Sequence, residues 1–407
     1  MTKWALAAWC AAAPGACGAG DDATAGDAST GGTVIGDTST GVDATMDPVV
    51  ELVSAVMDPA IDPGAPQDQN TCIGGVVALV TPDGTHVLGY GATAAHGATR
   101  PDGDTLFQIG SISKVVTGLG LAALVASGEL SADDLVTAHL ESDLATPLSG
   151  SQISLAHLIT HRAGFANMPS NLVDRDLDGL MDPDSDRLSP ATGYARADLA
   201  TYLDGFTPIS APGAAYFYSN VGLGLLGVAL ADYLEVGGFD AVLGALVTDA
   251  LGMTETWGEV AAIAPGAASR AAQGWAIDKG VRVLGHFGQM GVLASAGEIV
   301  TTGNDMLRLL AALTGTSSTP LDPAVEVALT PLAAGRGAQD IGYAIEIESL
   351  SDGTIYTKGG LTSSYSAYLA FRRDPRVGVL VMSSCGDFTR VRELSLAIVD
   401  GVVAQLR

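Results

Sequence analysis

Lysine is scarce in this chain: four in 407 residues, at positions 3, 114, 279 and 358. All basic residues together number 19 against 45 acidic ones, a formal charge of −26. A surface of that sign repels phosphate, which excludes nucleic acid and anionic membrane as partners held by the general field. The six histidines are scattered without ligand spacing, so His86, His96, His139, His157 and His286 read as packing or surface residues. No G-x-S-x-G elbow is present, which argues against an α/β-hydrolase. Beyond the first residues, no run is long and apolar enough to span a bilayer.

Apolar residues make up 47% of the chain, enough for one large domain or two medium ones. At the front, "MTKWALAAWCAAAPGAC" (1–17) pairs a positive Lys3 with a short apolar run, the pattern of an export leader. Cys17 after Gly15 and Ala16 fits a lipoprotein anchor, while Pro14 stands where a lipobox prefers Leu. Cleavage near Ala16 to give a soluble exported protein is the alternative. Residues 18–47 hold six Asp with Gly, Ser, Thr and Ala, and no Lys, Arg or aromatic residue. Such a segment has too little apolar surface to order itself and reads as a linker.

Residues 48 to 407 read as one domain. "IGGVVALVTPDGTHVLGYGAT" reads as a β-hairpin. Helical patterns follow over 111–127, 151–161, 195–204, 220–235, 240–251 and 303–315. Strand patterns return in "IGYAIEIES", "GTIYTKG", "SAYLAFRR" and "RVGVLVMSS", and a helical tail closes the chain. Strands at both ends with helices between predict an α+β fold: an antiparallel sheet from both chain ends, flanking helices, and an inserted helical lobe over about 112–330. Cys72 starts one strand run and Cys385 ends another. They are a disulfide if those strands are antiparallel neighbours, and two buried thiols otherwise.

Of the four lysines, two fall in stretches with chemistry. In "FQIGSISK" Ser111 and Lys114 are at i and i+3, on one face of a helix start. Burial lowers a lysine pKa from about 10.4 toward neutrality, and a neutral amine can take the serine proton. The helix N-terminus favours the negative charge that develops. Taken alone, the tetrapeptide is a weak signal and reads first as an N-cap serine with a snorkelling lysine. In "APGAAYFYSNVGLGLLG", Tyr218 and Asn220 stand two apart at the mouth of an apolar helix, where a phenol can act as base and acid. The bland version is a core tyrosine and a capping asparagine. In "YTKGGLTSSYSAYLAF", Lys358 precedes two glycines inside a strand, where backbone must approach something closely or a bulge sits beside a surface lysine.

With "LITHRAGF" and "GVLASAGEIVTTGNDMLRLL", these stretches resemble, in order and over residues 72–400, the serine β-lactamase and penicillin-recognising hydrolases, in the branch of class C β-lactamases, DD-peptidases and esterases. The resemblance implies Ser111 as nucleophile, Lys114 as its base, and Tyr218 as second base and leaving-group acid. It implies Asn220 on the acyl side of the substrate, Lys358 tuning the cleft, and an oxyanion hole from the N–H groups of Ser111 and Leu361 beside Gly360. It implies a small-molecule or peptide acyl substrate and no metal in catalysis. The alternative is a silent cell-surface binding protein on the same fold. Gly359 stands where the family commonly has Thr, whose hydroxyl binds a substrate carboxylate; losing such a bond costs about 1.5–3 kcal/mol. The acidic run "DRDLDGLMDPDSDR" places Asp174, Asp176, Asp178 and Asp182 as in an EF-hand-type loop, with Ser185 in place of the closing Glu. A structural Ca²⁺ there is one expectation, a solvated acidic loop the other.

Overall fold

The computed structural model describes residues 47–65, 71–172, 191–278 and 281–407. The leader, Cys17, the linker up to residue 46 and the four aspartates of the acidic run lie outside the described residues. Among the described residues, twelve strands run as β1 (Gly74–Thr81), β2 (Gly84–Gly91), β3 (Leu106–Gln108), β4 (Gly274–Asp278), β5 (Val281–Gly285), β6 (Val300–Thr302), β7 (Ala333–Ala334), β8 (Asp340–Ile341), β9 (Glu346–Leu350), β10 (Gly353–Leu361), β11 (Ser366–Arg373) and β12 (Arg376–Ser383). The main helices are α1 (Pro48–Met57), α2 (Ser113–Ala126), α3 (Leu155–Ile159), α4 (Arg196–Asp204), α5 (Asn220–Leu234), α6 (Phe239–Leu243), α7 (Gly303–Thr314), α8 (Asp322–Ala328) and α9 (Phe388–Gln405).

Eight strands form one antiparallel sheet in the order β2-β1-β12-β11-β10-β9-β8-β7. Strands from the two chain ends therefore pair directly, β1 with β12, as second and third of the eight. The β1 run is buried at every position, because both faces of the sheet are covered. On one face lie α1 and α9, whose Val53, Met57, Ile398 and Val402 join Val77, Val379 and Val381 in one core. On the other lies α7, close enough that Gly303 abuts Val76 and Val87, and Gly378 abuts Leu310 and Thr314.

Between β2 and β7 sits the lobe, and it is not purely helical as the periodicity predicts. It also holds two small antiparallel sheets, β3 with β6 and β4 with β5. Three residues per strand in the first pair leave no alternation to read. Within "IGYAIEIES" the strand is interrupted between Ile341 and Glu346, where Ala344 takes φ 61°. The 240–251 helix is α-helical to Leu243, widens into a π-turn over Gly244–Thr248 and closes as α-helix over Asp249–Leu251.

Gly75 pairs with Ser383 across β1 and β12, which sets Cys72 and Cys385 side by side. They form a disulfide with Cα atoms 5.1 Å apart, joining residues 313 apart in sequence. Cross-linking so long a loop restricts the unfolded chain, by about 2–4 kcal/mol of stability. Reduction, or the pair Cys72→Ser with Cys385→Ser, is expected to lower the denaturation midpoint accordingly. An unchanged midpoint would show that the bridge contributes nothing.

Candidate active site

Four segments converge on one point, and glycines allow the convergence. Gly110, at φ +52° in a conformation that suits glycine, opens the 3₁₀ turn Gly110–Ile112 that carries Ser111. A side chain at 110 would come within 2.6 Å of the backbone nitrogen of Leu361. At Gly360 a methyl group would collide with the carbonyl of Ile109. The serine turn and the end of β10 thus lie backbone to backbone. This half of β10 is free to receive the turn: β9 pairs with it over Gly353–Thr357 alone, whereas β11 pairs through Leu361. The register with β11 is unbroken at the two glycines, so they mark close approach and no bulge.

Helix α2 is buried nearly all round, as its continuous apolar run requires, and Lys114 in its first turn is 0% exposed. Helix α5 is likewise buried, and its Gly224 and Gly227 let Leu293 and Ser295 press onto its backbone. That contact carries the 291–296 segment past α2, where the carbonyl of Ala296 accepts a short hydrogen bond from Lys114 Nζ. The sequence marks this segment as family-like without giving it a role, since a main-chain carbonyl has no residue signature.

Tyr218 is fixed by its neighbours. Ser219 caps α5, accepting from Gly222 N–H and donating to the carbonyl of Ala166, so the cap is this serine and not Asn220. His161, at φ 59°, accepts Phe217 N–H on its carbonyl (2.8 Å) and Ser219 N–H on Nδ1 (3.2 Å). Its ring packs 4.4 Å from the Tyr218 ring, centroid to centroid. His161 is therefore a clasp around the 217–219 turn.

The reacting atoms are in contact. Tyr218 Oη lies 2.5 Å and Lys114 Nζ 3.0 Å from Ser111 Oγ, and Lys114 also donates to Asn220 Oδ1 at 2.7 Å. A neutral amine has two protons. Given to Asn220 and Ala296, they leave its lone pair facing the serine hydroxyl. Burial pushes the Lys114 pKa down, opposed by Tyr218 and reinforced by the charge of Lys358. For Tyr218, burial raises the phenol, but Lys114 and Lys358 outweigh it and bring it down to about 8. Burial holds His161 well below its ordinary pKa, helped by both lysines, so it adds no charge here. Asn220 is engaged by Lys114 through its oxygen, and its amide nitrogen meets Met168 Sδ at 3.3 Å.

Lys358 is 2% exposed, so it is no surface lysine. Its Nζ lies 5.4 Å from the centre of the Tyr218 ring and 3.4 Å from Glu346 Oε1 on β9. Sequence reading missed Glu346, although a lone carboxylate between Ile345 and Ile347 in a strand was the available signal. At Gly359 a side chain would run into the ring of Phe388, the first residue of α9. An aromatic ring fills the space that a hydroxyl-bearing side chain needs. Thr362 Oγ accepts from the N–H groups of Ser364 and Tyr365 instead. Among the described residues no cluster of three His, Cys, Asp or Glu could hold a metal.

Solved structures share this architecture. A class C beta-lactamase superposes with a TM-score of 0.70 at 19% identity, over 88% of this chain and 96% of its own. A D-alanine carboxypeptidase from Burkholderia cenocepacia gives 0.69 at 23% identity, over 88% and 100%. In sequence, a beta-lactamase of Escherichia coli (strain K12) is 31% identical over 153 residues, 38% of this chain. One of Yersinia enterocolitica is 29% identical over 159 residues. The match spans about a third of these two relatives' length, 35% of each. The family model named Beta-lactamase matches residues 49–401, almost the whole of the described fold, and the chain belongs to the beta-lactamase family.

Proposed function

We propose that the protein is a serine hydrolase that cleaves an ester or amide bond through an acyl-serine intermediate. The observation that supports it most is the double contact of Ser111 Oγ with a buried amine and a buried phenol. Ser111 Oγ attacks the acyl carbon while its proton passes to the Lys114–Tyr218 pair. Charge on the carbonyl oxygen is taken up by the N–H groups of Ser111 and Leu361, with the N-terminus of α2 behind them. Tyr218 protonates the leaving group, and water then releases the acyl group from the serine by the same route in reverse.

β-Lactams, D-alanyl peptides and esters all undergo this reaction. The Phe388 ring against Gly359 favours substrates that bring no carboxylate to that place, hence esters or neutral amides. Labelling with a fluorescent penicillin and a fluorophosphonate, on wild type and Ser111→Ala, separates the classes. Fluorophosphonate alone is the expected result, and labelling by both marks a penicillin-recognising enzyme. Labelling by neither would overturn catalysis and favour the binding protein. We further propose export, supported by the disulfide, which an oxidising compartment permits; lipidation of Cys17 and Ca²⁺ at Asp174, Asp176, Asp178 and Asp182 belong to the same reading.

The phenol and amine share one titration. While the pair keeps its extra proton it cannot accept another, so acylation is expected to rise about tenfold per pH unit below pH 8 and level off above. Tyr218→Phe should leave an acid limb that belongs to Lys114 alone and slow acylation by about 10²–10⁴-fold. A wild-type rate flat from pH 6 to 9 would contradict the assignment.

A further inference from the structure

Two lysines are buried beside one phenol, with Nζ atoms 4.9 Å (Lys114) and 5.4 Å (Lys358) from the Tyr218 ring centre. Two ammonium groups cannot both be held cheaply in so small a buried volume, since each disfavours the charge of the other. Something must decide which keeps its proton. The partners of Lys114 are a hydroxyl, an amide oxygen, a main-chain carbonyl and the Tyr218 phenol, with no carboxylate among them. Lys358 alone of the two meets a carboxylate, Glu346 Oε1 at 3.4 Å.

We infer that Glu346 is a positioning residue for the reaction, fixing Lys358 as the permanent cation and thereby leaving Lys114 as the base. The inference rests on the serine-hydrolase reading. Glu346 opens β9 opposite Thr357, the neighbour of Lys358 on β10, and from the strand end its Oε1 reaches Lys358 Nζ at 3.4 Å. The groups that face Lys358 are Glu346 on β9, Tyr216 and Tyr218 before α5, Lys114 on α2 and His161 after α3. Of these Glu346 is the one carboxylate. Its charge offsets the burial that works against the Lys358 ammonium, and Lys358 in turn favours loss of the proton from Tyr218 and Lys114.

The test is the pH dependence of fluorophosphonate labelling of Ser111, which reports nucleophile activation whatever the natural substrate is. In Glu346→Gln, Lys358 sheds its proton in the working range, and Tyr218 and Lys114 hold theirs more tightly. The acid limb is expected to move up by about one pH unit, so labelling at pH 7 falls about tenfold. Glu346→Asp, which keeps the charge, should restore the wild-type limb. Glu346→Gln combined with Lys358→Met should match Lys358→Met alone, because Glu346 acts through Lys358. That pair leaves no unpaired buried charge, and it carries the test if Glu346→Gln does not fold. An unmoved limb, a uniform loss at every pH, or additive effects in the double variant would overturn the inference. A wild type that is labelled normally while Glu346→Gln keeps its profile overturns this inference alone; an unlabelled wild type overturns the hydrolase reading with it.

Discussion

Ser111→Ala is expected to lower turnover of any acyl substrate by about 10⁴–10⁶-fold, as loss of a nucleophile in a coupled catalytic group does. Covalent labelling should disappear altogether. The loss exceeds what any one supporting residue contributes, because the acyl-enzyme route needs this oxygen and the rest of the constellation acts upon it. Stability should barely change. Lys114 keeps its bonds to Asn220 and Ala296, and Ser111 itself is half-buried. Steady-state turnover, stoichiometric labelling and a thermal melt check the three parts together. Residual turnover within tenfold of wild type would mean that another group attacks the substrate.

Gly360→Ala is expected to be the most damaging single methyl group that can be added to the site. Its Cβ would collide with the carbonyl of Ile109, and neither backbone has a flexible side chain that could yield. Overpacking in a well-filled core costs about 1–3 kcal/mol, and a main-chain clash belongs at the top of that range. The kinetic consequence should be larger. Pushing β10 away from the 3₁₀ turn separates the Leu361 N–H from Ser111, and displacement of about 1 Å costs on the order of 10²-fold in rate. The fall should appear in kcat, since the misplaced donor serves the oxyanion and not substrate binding. A melt lowered by several degrees with normal kcat would place the oxyanion donors elsewhere.

How much of this was legible beforehand follows from what a sequence records. Ser111, Lys114, Tyr218 and Lys358 are side chains in distinctive local settings, and the structure brings all four together. The hairpin β1–β2, the strands β10 to β12 and the long apolar helices also carry their own periodicity. By contrast, Ala296 contributes a carbonyl, which any residue would supply. Glu346 acts because β9 happens to pair beside Lys358, a fact of register and not of local pattern. Phe388 reads as an ordinary core residue of a helix until Gly359 is seen beneath it. The short pair β3–β6 is held by its surroundings, with Trp257 and Ala271 bridging to its strands. Such contacts come from the tertiary structure and leave no mark in a window of ten residues.

The pairing of β1 with β12 also sets a timetable for folding. Gly75 finds Ser383 only after some three hundred residues have been synthesised between them. Contacts so distant along the chain make folding slow, because the entropy of closing the loop is lost before any pairing offsets it. A polypeptide still emerging from a ribosome has the serine turn and the phenol but no finished platform to hold β10 against them. The constellation around Ser111 is therefore completed late, when β12 pairs with β1.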